Sequence, residues 1–403
     1  MIGFTIMNIV KMNKKLLWIY ILSGAVYFTQ GIEGLPGLSL FFYLKEKLGF
    51  TPEKIMYIGS ITGIAWLIKP LWGYLCDNFL TKKKWIILSL LGSISIAGYF
   101  GLVSLLPLSL LVILLSLAGF NTALRDVAVD GIMCVDGKET NSCDRIQAIQ
   151  WTAITIAGIL VSLAGGVIAD RFNYKFAYLC LIPIYLIIMG IVLRYRTTVL
   201  LNRTKRIPIL ETIYSYKELF TNKSFLFACL FIFLYNFAPG FGTPLMFIER
   251  DTFHWSGTFM GILGAITSAI SIIGSILYFK FGRKINIEKC LFWSVFLGAI
   301  TTLCYLYFTP ISAIVYGIVF SAIGMFIFLN IMTFMARSTI SGKEATSFAL
   351  LCSVNNLAGT CSSLSGAYLF PKIGLQPLII VAAFTSFLCL PLIKRLKIGG
   401  TNE

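Results

Sequence analysis

The chain has 403 residues, 58% of them hydrophobic and 12% charged, with a mean hydropathy of +0.86; a soluble domain carries about twice that share of charge, so a soluble enzyme is excluded and the chain belongs in a bilayer. Its net charge of +16 would suit nucleic acid, but the Lys and Arg residues gather in short gaps between apolar runs, where they set orientation and meet anionic lipid. Ten Cys scattered singly without a CxxC pair give no disulfide framework, and neither a metal site nor a cofactor is expected.

Apolar runs of roughly 20 residues, enough to cross about 30 Å of hydrocarbon, predict an all-α polytopic membrane protein of twelve spans. The first covers 16–43. It follows a basic leader but is too long for a signal-peptide core, and is read as retained. It contains YFTQGIEGLP, Tyr27 to Pro36, in which Gly31, Gly34 and Pro36 break the helix and Gln30 and Glu33 lie inside the membrane. The second, 54–76, carries Lys69 and leads into GYLCDNFLTKKK, where Asp77 is placed to gate the inner side beside the basic run Lys82 to Lys84. The third covers 85–105. The fourth, 108–131, holds Arg125, Asp126, Asp130 and Asn121, an amide that either lines a cavity or hydrogen-bonds a neighbouring helix; the fifth, 146–169, holds Trp151; the sixth covers 176–194.

A basic stretch separates these from a second set of six. The seventh span, 224–248, contains YNFAPGFGTP, with Asn236, Phe237, Pro239, Gly240, Gly242 and Pro244. The eighth, 257–279, follows ERDTFHW, whose His254 reads as a surface residue. The remaining spans are 290–308, 311–334, 345–369 and 377–393. The expected domains are a six-helix bundle over 1–198, a cytosolic linker over 199–222, and a second bundle with a cytosolic tail over 223–403. With the N-terminus inside, 24 of the 33 Lys and Arg residues fall on the inner side, 7 outside and 2 within spans. That bias predicts cytosolic termini.

The two halves are weakly repeated. Setting Tyr27 against Tyr235 also sets Gly34 against Gly242 and Pro36 against Pro244. Matching interruptions in corresponding spans point to a transport site between two six-helix halves; the plainer alternative is a pair of packing kinks.

Four embedded charges, Lys69, Arg125, Asp126 and Asp130, lie at one depth and sum to zero. Each unpaired would cost about 2.5–3.5 kcal/mol, so pairing is expected. Asp126 and Asp130 share a helix face while Arg125 points about 100° away, which leaves Lys69 as the embedded partner for the Asp pair. They form either a static clamp or a cavity lining that binds substrate or exchanges protons. Glu33 has no partner in its own span and reads either as a lone carboxyl available for proton coupling or as one that reaches water in an outer vestibule.

Several stretches together resemble the folate/biopterin transporters of the major facilitator superfamily, and the resemblance covers nearly the whole chain. They are YFTQGIEGLPGLSLFFYLKEKLGFTPEKI, WLIKPLWGYLCD, LRDVAVDGIM, IQAIQWTAITIAGILVSLAGGVIAD, LFIFLYNFAPGFGTPL and GKEATSFALLCSVNNLAG. Glu33 is outside the family pattern. Muropeptide permeases share the first-span GLP, the second-span Lys and the Asp-x-x-x-Asp, while the second-half stretches favour the folate/biopterin branch. The resemblance implies a monomeric secondary transporter in the plasma membrane that moves a folate or pterin solute by alternating access, with proton coupling left open. A multipass enzyme is the rival class; a single His and no HExxH argue against it.

Overall fold

The computed structural model describes residues 14–103, 107–139, 142–195, 217, 219–281, 286–340, 344–394 and 396. The expected linker lies almost entirely outside these residues, as do most of both termini. Every described element is helical. Eight helices are long and apolar enough to cross a bilayer: Lys82–Leu102, Leu108–Met133, Arg145–Arg171, Tyr174–Arg194, Gly257–Tyr278, Ile287–Cys304, Pro310–Arg337 and Leu375–Ile393. They are spans three to six, eight to ten and twelve.

The other four spans depart from a plain apolar helix for local reasons. The first is Lys14–Ile32 and Gly37–Phe42, joined by a tight turn at Glu33 to Pro36 and continued by a π-helical turn, Tyr43–Lys47. Gly31 is needed there because a Cβ would overlap Ala157 and the Ile154 carbonyl of the fifth span. The second span, expected as one run over 54–76, is three pieces: Pro52–Thr62, Ile64–Leu67 and Lys69–Asn78. Pro70 has no amide to donate and suits a helix start, so the third piece begins beside it. The carbonyls freed by these interruptions are taken up by side chains. Trp72 Nε1 donates to the Ala65 oxygen at 2.9 Å, and Asn356 Nδ2 of the eleventh span donates to that of Trp66 at 3.1 Å.

The seventh span is Lys223–Asn236 and Gly242–Asp251, with five non-helical residues between. That exposed backbone is bonded to the eleventh span, Glu344–Ile373: Gly240 N donates to the Ser362 carbonyl at 2.9 Å, and Ser362 Oγ donates to that of Ala238. A Cβ on Gly366 would collide with the Gly240 backbone, so the eleventh helix is small-sided where it covers the break. Its Ser, Thr and Asn content leaves it short of the apolarity of a simple span.

Two apolar clusters form the core. One runs from Ile19 to Tyr195 in the first six spans, the other from Leu219 to Leu396 in the last six. They meet along two seams. Fifth and eighth spans cross through Gly166, Gly257 and Gly261, close enough that Cβ atoms would strike backbone. Second and eleventh spans meet through Asn356 and Ser363, whose hydroxyl donates to the Met56 carbonyl at 3.4 Å.

The face opposite the start of the first span, here the distal face, is clasped by charge. Lys45 pairs with Asp251, and Glu46 with Arg250 at 2.7 Å. Arg250 also donates to the Trp255 carbonyl at 3.0 Å and lies 4.2 Å from the Phe42 ring centre. Asp170, ending the fifth span, accepts from the Gly257 and Thr258 amides at 2.7 and 2.6 Å, thereby capping the eighth helix.

Asp170→Ala should lower stability by about 0.5–2 kcal/mol, as loss of a helix cap does. Thermal midpoints of the purified protein should show the deficit, and Asp170→Asn, which keeps an acceptor oxygen for the Gly257 and Thr258 amides, should recover part of it.

Candidate substrate site

The fourth span builds the site because its charged residues leave two faces of one helix. On one face Arg125, 1% exposed, donates through Nη2 to Glu33 Oε1 at 2.5 Å. Glu33 further accepts from Tyr185 Oη at 2.9 Å and from Thr122 Oγ1 at 2.7 Å. Arg125 Nη1 reaches Ser93 Oγ at 3.4 Å. The first, third, fourth and sixth spans are thus tied around one buried ion pair. This corrects the expectation of a lone Glu33. The 100° offset that turns Arg125 away from the Asp pair delivers it to the carboxylate of the broken first span, which sequence spacing could not place.

On the other face Lys69 Nζ donates to Asp126 Oδ2 at 2.7 Å, the partner expected from the sequence. Lys69 reaches it from the start of the Lys69–Asn78 piece, and its ammonium lies 4.7 Å from the Trp66 ring centre. Asp130 has no ion pair among the described residues: its Oδ1 accepts from Tyr27 Oη at 2.9 Å and from Gln150 Nε2 at 3.4 Å. The quartet expected to sum to zero is a quintet with Glu33, and its formal charges sum to −1.

The remaining expected residues are dispersed. Asn236 Nδ2 donates to Asn355 Oδ1 at 2.8 Å, next to the break in the seventh span. Phe237 stacks on Phe233, ring centres 5.4 Å apart. The Gln30 carbonyl oxygen is buried without a partner among the described residues. Trp151 is exposed and meets Phe328 of the tenth span edge-on at 5.9 Å, joining the two halves. Asn121 lies against Gly92 of the third span, where it packs two helices. Asp77 bonds Lys82 Nζ at 2.9 Å within its own half. The carboxylate that docks on a helix start of the other half is Asp170, at the distal face. His254 is exposed.

Three of the cavities among the described spans bear on the site. One of about 420 Å³ has Gly34 and Leu35 of the first break and Gly242 of the seventh on one wall, so both interruptions border a single space. A second, of about 320 Å³, is lined by Asn236, Asn355, Asn356, Ser60, Thr360 and Trp66, between the second, seventh and eleventh spans. The third, also about 320 Å³, shares Asn236 and Asn355 and extends toward Phe328. Trp66 joins the amide-lined cavity to Lys69. Sequence reading missed Trp66, Tyr27, Thr122 and Tyr185, since a hydroxyl or indole in an apolar span carries no signal until a neighbour is known. It also missed Glu249, which sits beside Arg250 and Asp251 and reads as loop charge.

An all-helical bundle with charges and amides turned inward among its spans has the fold of the major facilitator transporters. The BT1 family pattern covers residues 30–397, and the chain belongs to that family. It is 25% identical to the folate-biopterin transporter of Synechocystis sp., over 93% of this chain and 81% of that protein. It is 24% identical to folate transporter 1 of Plasmodium falciparum, over 89% and 74% respectively. A crystal structure of the nucleoside transporter NupG, in a point-mutant form, superposes with a TM-score of 0.76 over 94% of this chain and all of that one. At 14% identity that likeness speaks for the fold alone.

Removing one member of a buried ion pair leaves an uncompensated charge, at a cost of about 3–5 kcal/mol. Arg125→Met should reduce stability by that amount. Pairing it with Glu33→Gln should restore most of the loss, which thermal unfolding of the four proteins of the cycle would read directly.

Proposed function

We propose that this protein carries folate or pterin solutes across the plasma membrane by alternating access, coupled to a proton taken up at Asp130. The observation that carries the reading is the junction at Trp66. Its ring holds Lys69 on one side, and its residue lines the amide cavity on the other. One small region thus offers a cation, carboxylates, neutral amides and a flat apolar surface.

Those groups match the solute. A pterin edge has adjacent N–H donors that a carboxylate accepts in a paired manner, and its ring suits an aromatic face. Asp126 is held by Lys69, whereas the bonds Asp130 accepts among the described residues fall on Oδ1, which makes its Oδ2 the better acceptor. Asn236, Asn355 and Asn356 can complete the ring edge. The anionic glutamate tail of folate favours Lys69; Arg125 is buried and occupied by Glu33. The names of the similar proteins in Synechocystis and Plasmodium support the same solute class.

Coupling follows from charge. With Arg125 neutralised by Glu33 and Lys69 by Asp126, one carboxylate remains in excess, and a proton on Asp130 brings the cluster to zero. Asp130 faces Tyr27 from the first span, Gln150 from the fifth, and Asp126 and Lys69 beside it. Residues 1–198 and 223–403 would rock about the fifth–eighth and second–eleventh seams, with 199–222 as a cytosolic connection. The distal face is then the outer one, both termini are cytosolic, and the chain acts as a monomer.

In proteoliposomes, labelled folate or biopterin uptake should depend on the protein and rise as external pH falls. Asp130→Asn should abolish that pH response and reduce gradient-driven uptake at least ~10-fold, whereas Glu33→Gln should keep the response at reduced protein yield. Full pH-driven uptake by Asp130→Asn would end the coupling assignment, and solute entry equal to that of empty vesicles would end the transport reading.

A further inference from the structure

We infer that the cavity at Glu249 is a second ligand site, which takes a flat nitrogen heterocycle bearing adjacent N–H donors on one edge. Glu249 lies on Gly242–Asp251, the second arm of the broken seventh span, and lines the cavity of about 420 Å³. Its two neighbours are committed to the distal clasp, Arg250 to Glu46 and Asp251 to Lys45. Successive helical residues are turned by about 100°, so the carboxylate preceding that pair faces elsewhere, into the cavity. Among the described residues Glu249 makes no ion pair and no side-chain hydrogen bond, its own carbonyl accepting from the Trp255 amide.

The rest of the lining says what the carboxylate is for. Trp255, Tyr305 and Phe308 supply aromatic faces, while Ser162 and Thr267 supply hydroxyls, and none of the described lining residues is a cation. An anion in such a cavity is costly until donors meet it. A flat ring stacked on these aromatics, with two N–H groups aimed at Glu249, supplies those donors in the paired geometry a carboxylate prefers. A metal ion fits poorly, because one carboxylate among aromatic rings gives too few oxygen ligands. The space is bordered by both helix breaks and by the fifth and eighth spans, and so lies on the path between the halves, distal to the Lys69 and Asp130 groups.

This inference rests on the transport reading only for the choice of probe, biopterin. Titration calorimetry on the purified full chain should find two equivalents of biopterin bound. Glu249→Gln should lose one of them or weaken it at least ~10-fold, Glu249→Asp should retain both, and Asp130→Asn should lose the other. The lumazine counterpart of biopterin, with an oxo group in place of the 2-amino donor, should bind the Glu249 site ~10-fold more weakly than biopterin does. Unchanged stoichiometry and affinities in Glu249→Gln, with a loss in Asp130→Asn, would overturn this site and leave the transport reading standing. A loss in Glu249→Gln alone would support the site and count against Asp130 as the central acceptor. Absence of any biopterin binding by the unaltered chain would overturn this inference.

Discussion

Hydrocarbon offers no hydrogen bond, and most of this architecture answers that one constraint. At the interruptions of the second and seventh spans the freed backbone groups meet named side-chain and backbone partners, while the first-span turn bonds within itself. The seventh-span break is bonded to Ser362, and the second-span carbonyls to Trp72 and Asn356. The polar eleventh span is the common partner. It is therefore less apolar than a membrane helix need be, and it belongs to the interior of the bundle more than to its lipid surface.

The same constraint acts on charge. Arg125, at 1% exposure, would be untenable without Glu33, which stands at the end of the first helix immediately before the turn at Gly34 and Pro36. Break and ion pair are thus adjacent, and the pair ties the end of that helix to the fourth and sixth spans. Lys69 and Asp126 repeat the logic on the opposite face, where the second span restarts beside Pro70. Two broken helices are each anchored by one charge on the unbroken fourth helix, from adjacent positions 125 and 126.

Much of this was legible in the sequence. Span number, the two matching breaks and the Lys69–Asp126 pair all follow from local quantities: apolar length, Gly and Pro spacing, and the helical period. What escaped depends on tertiary placement. Glu33 looked solitary because its partner is 92 residues away. Asn121 looked like cavity lining because an amide in a span has two explanations, and only the proximity of Gly92 selects packing. Asp77, expected to gate the inner side, is bonded to Lys82 of its own half, and the contact of a carboxylate with the other half that sequence did not signal is Asp170 at the distal face, where the eighth helix begins next to the fifth helix's end.

The two halves solve the constraint with different chemistry. Within the spans, the first half buries five ionisable residues around the fourth helix. The second is tied mainly by neutral groups: Asn236 to Asn355 at 2.8 Å, Asn330 to Ser294 at 2.8 Å, and Tyr278 to Thr333. Separating a buried ion pair strands charge and costs several kcal/mol, whereas a neutral interhelical hydrogen bond in a membrane contributes about 0.6 kcal/mol on average. The charged wall is consequently the rigid one, and the amide wall can exchange partners at small cost. If one face of a site must hold its shape while the other follows a solute through changing contacts, ions belong on the first and amides on the second. That is how this chain distributes them.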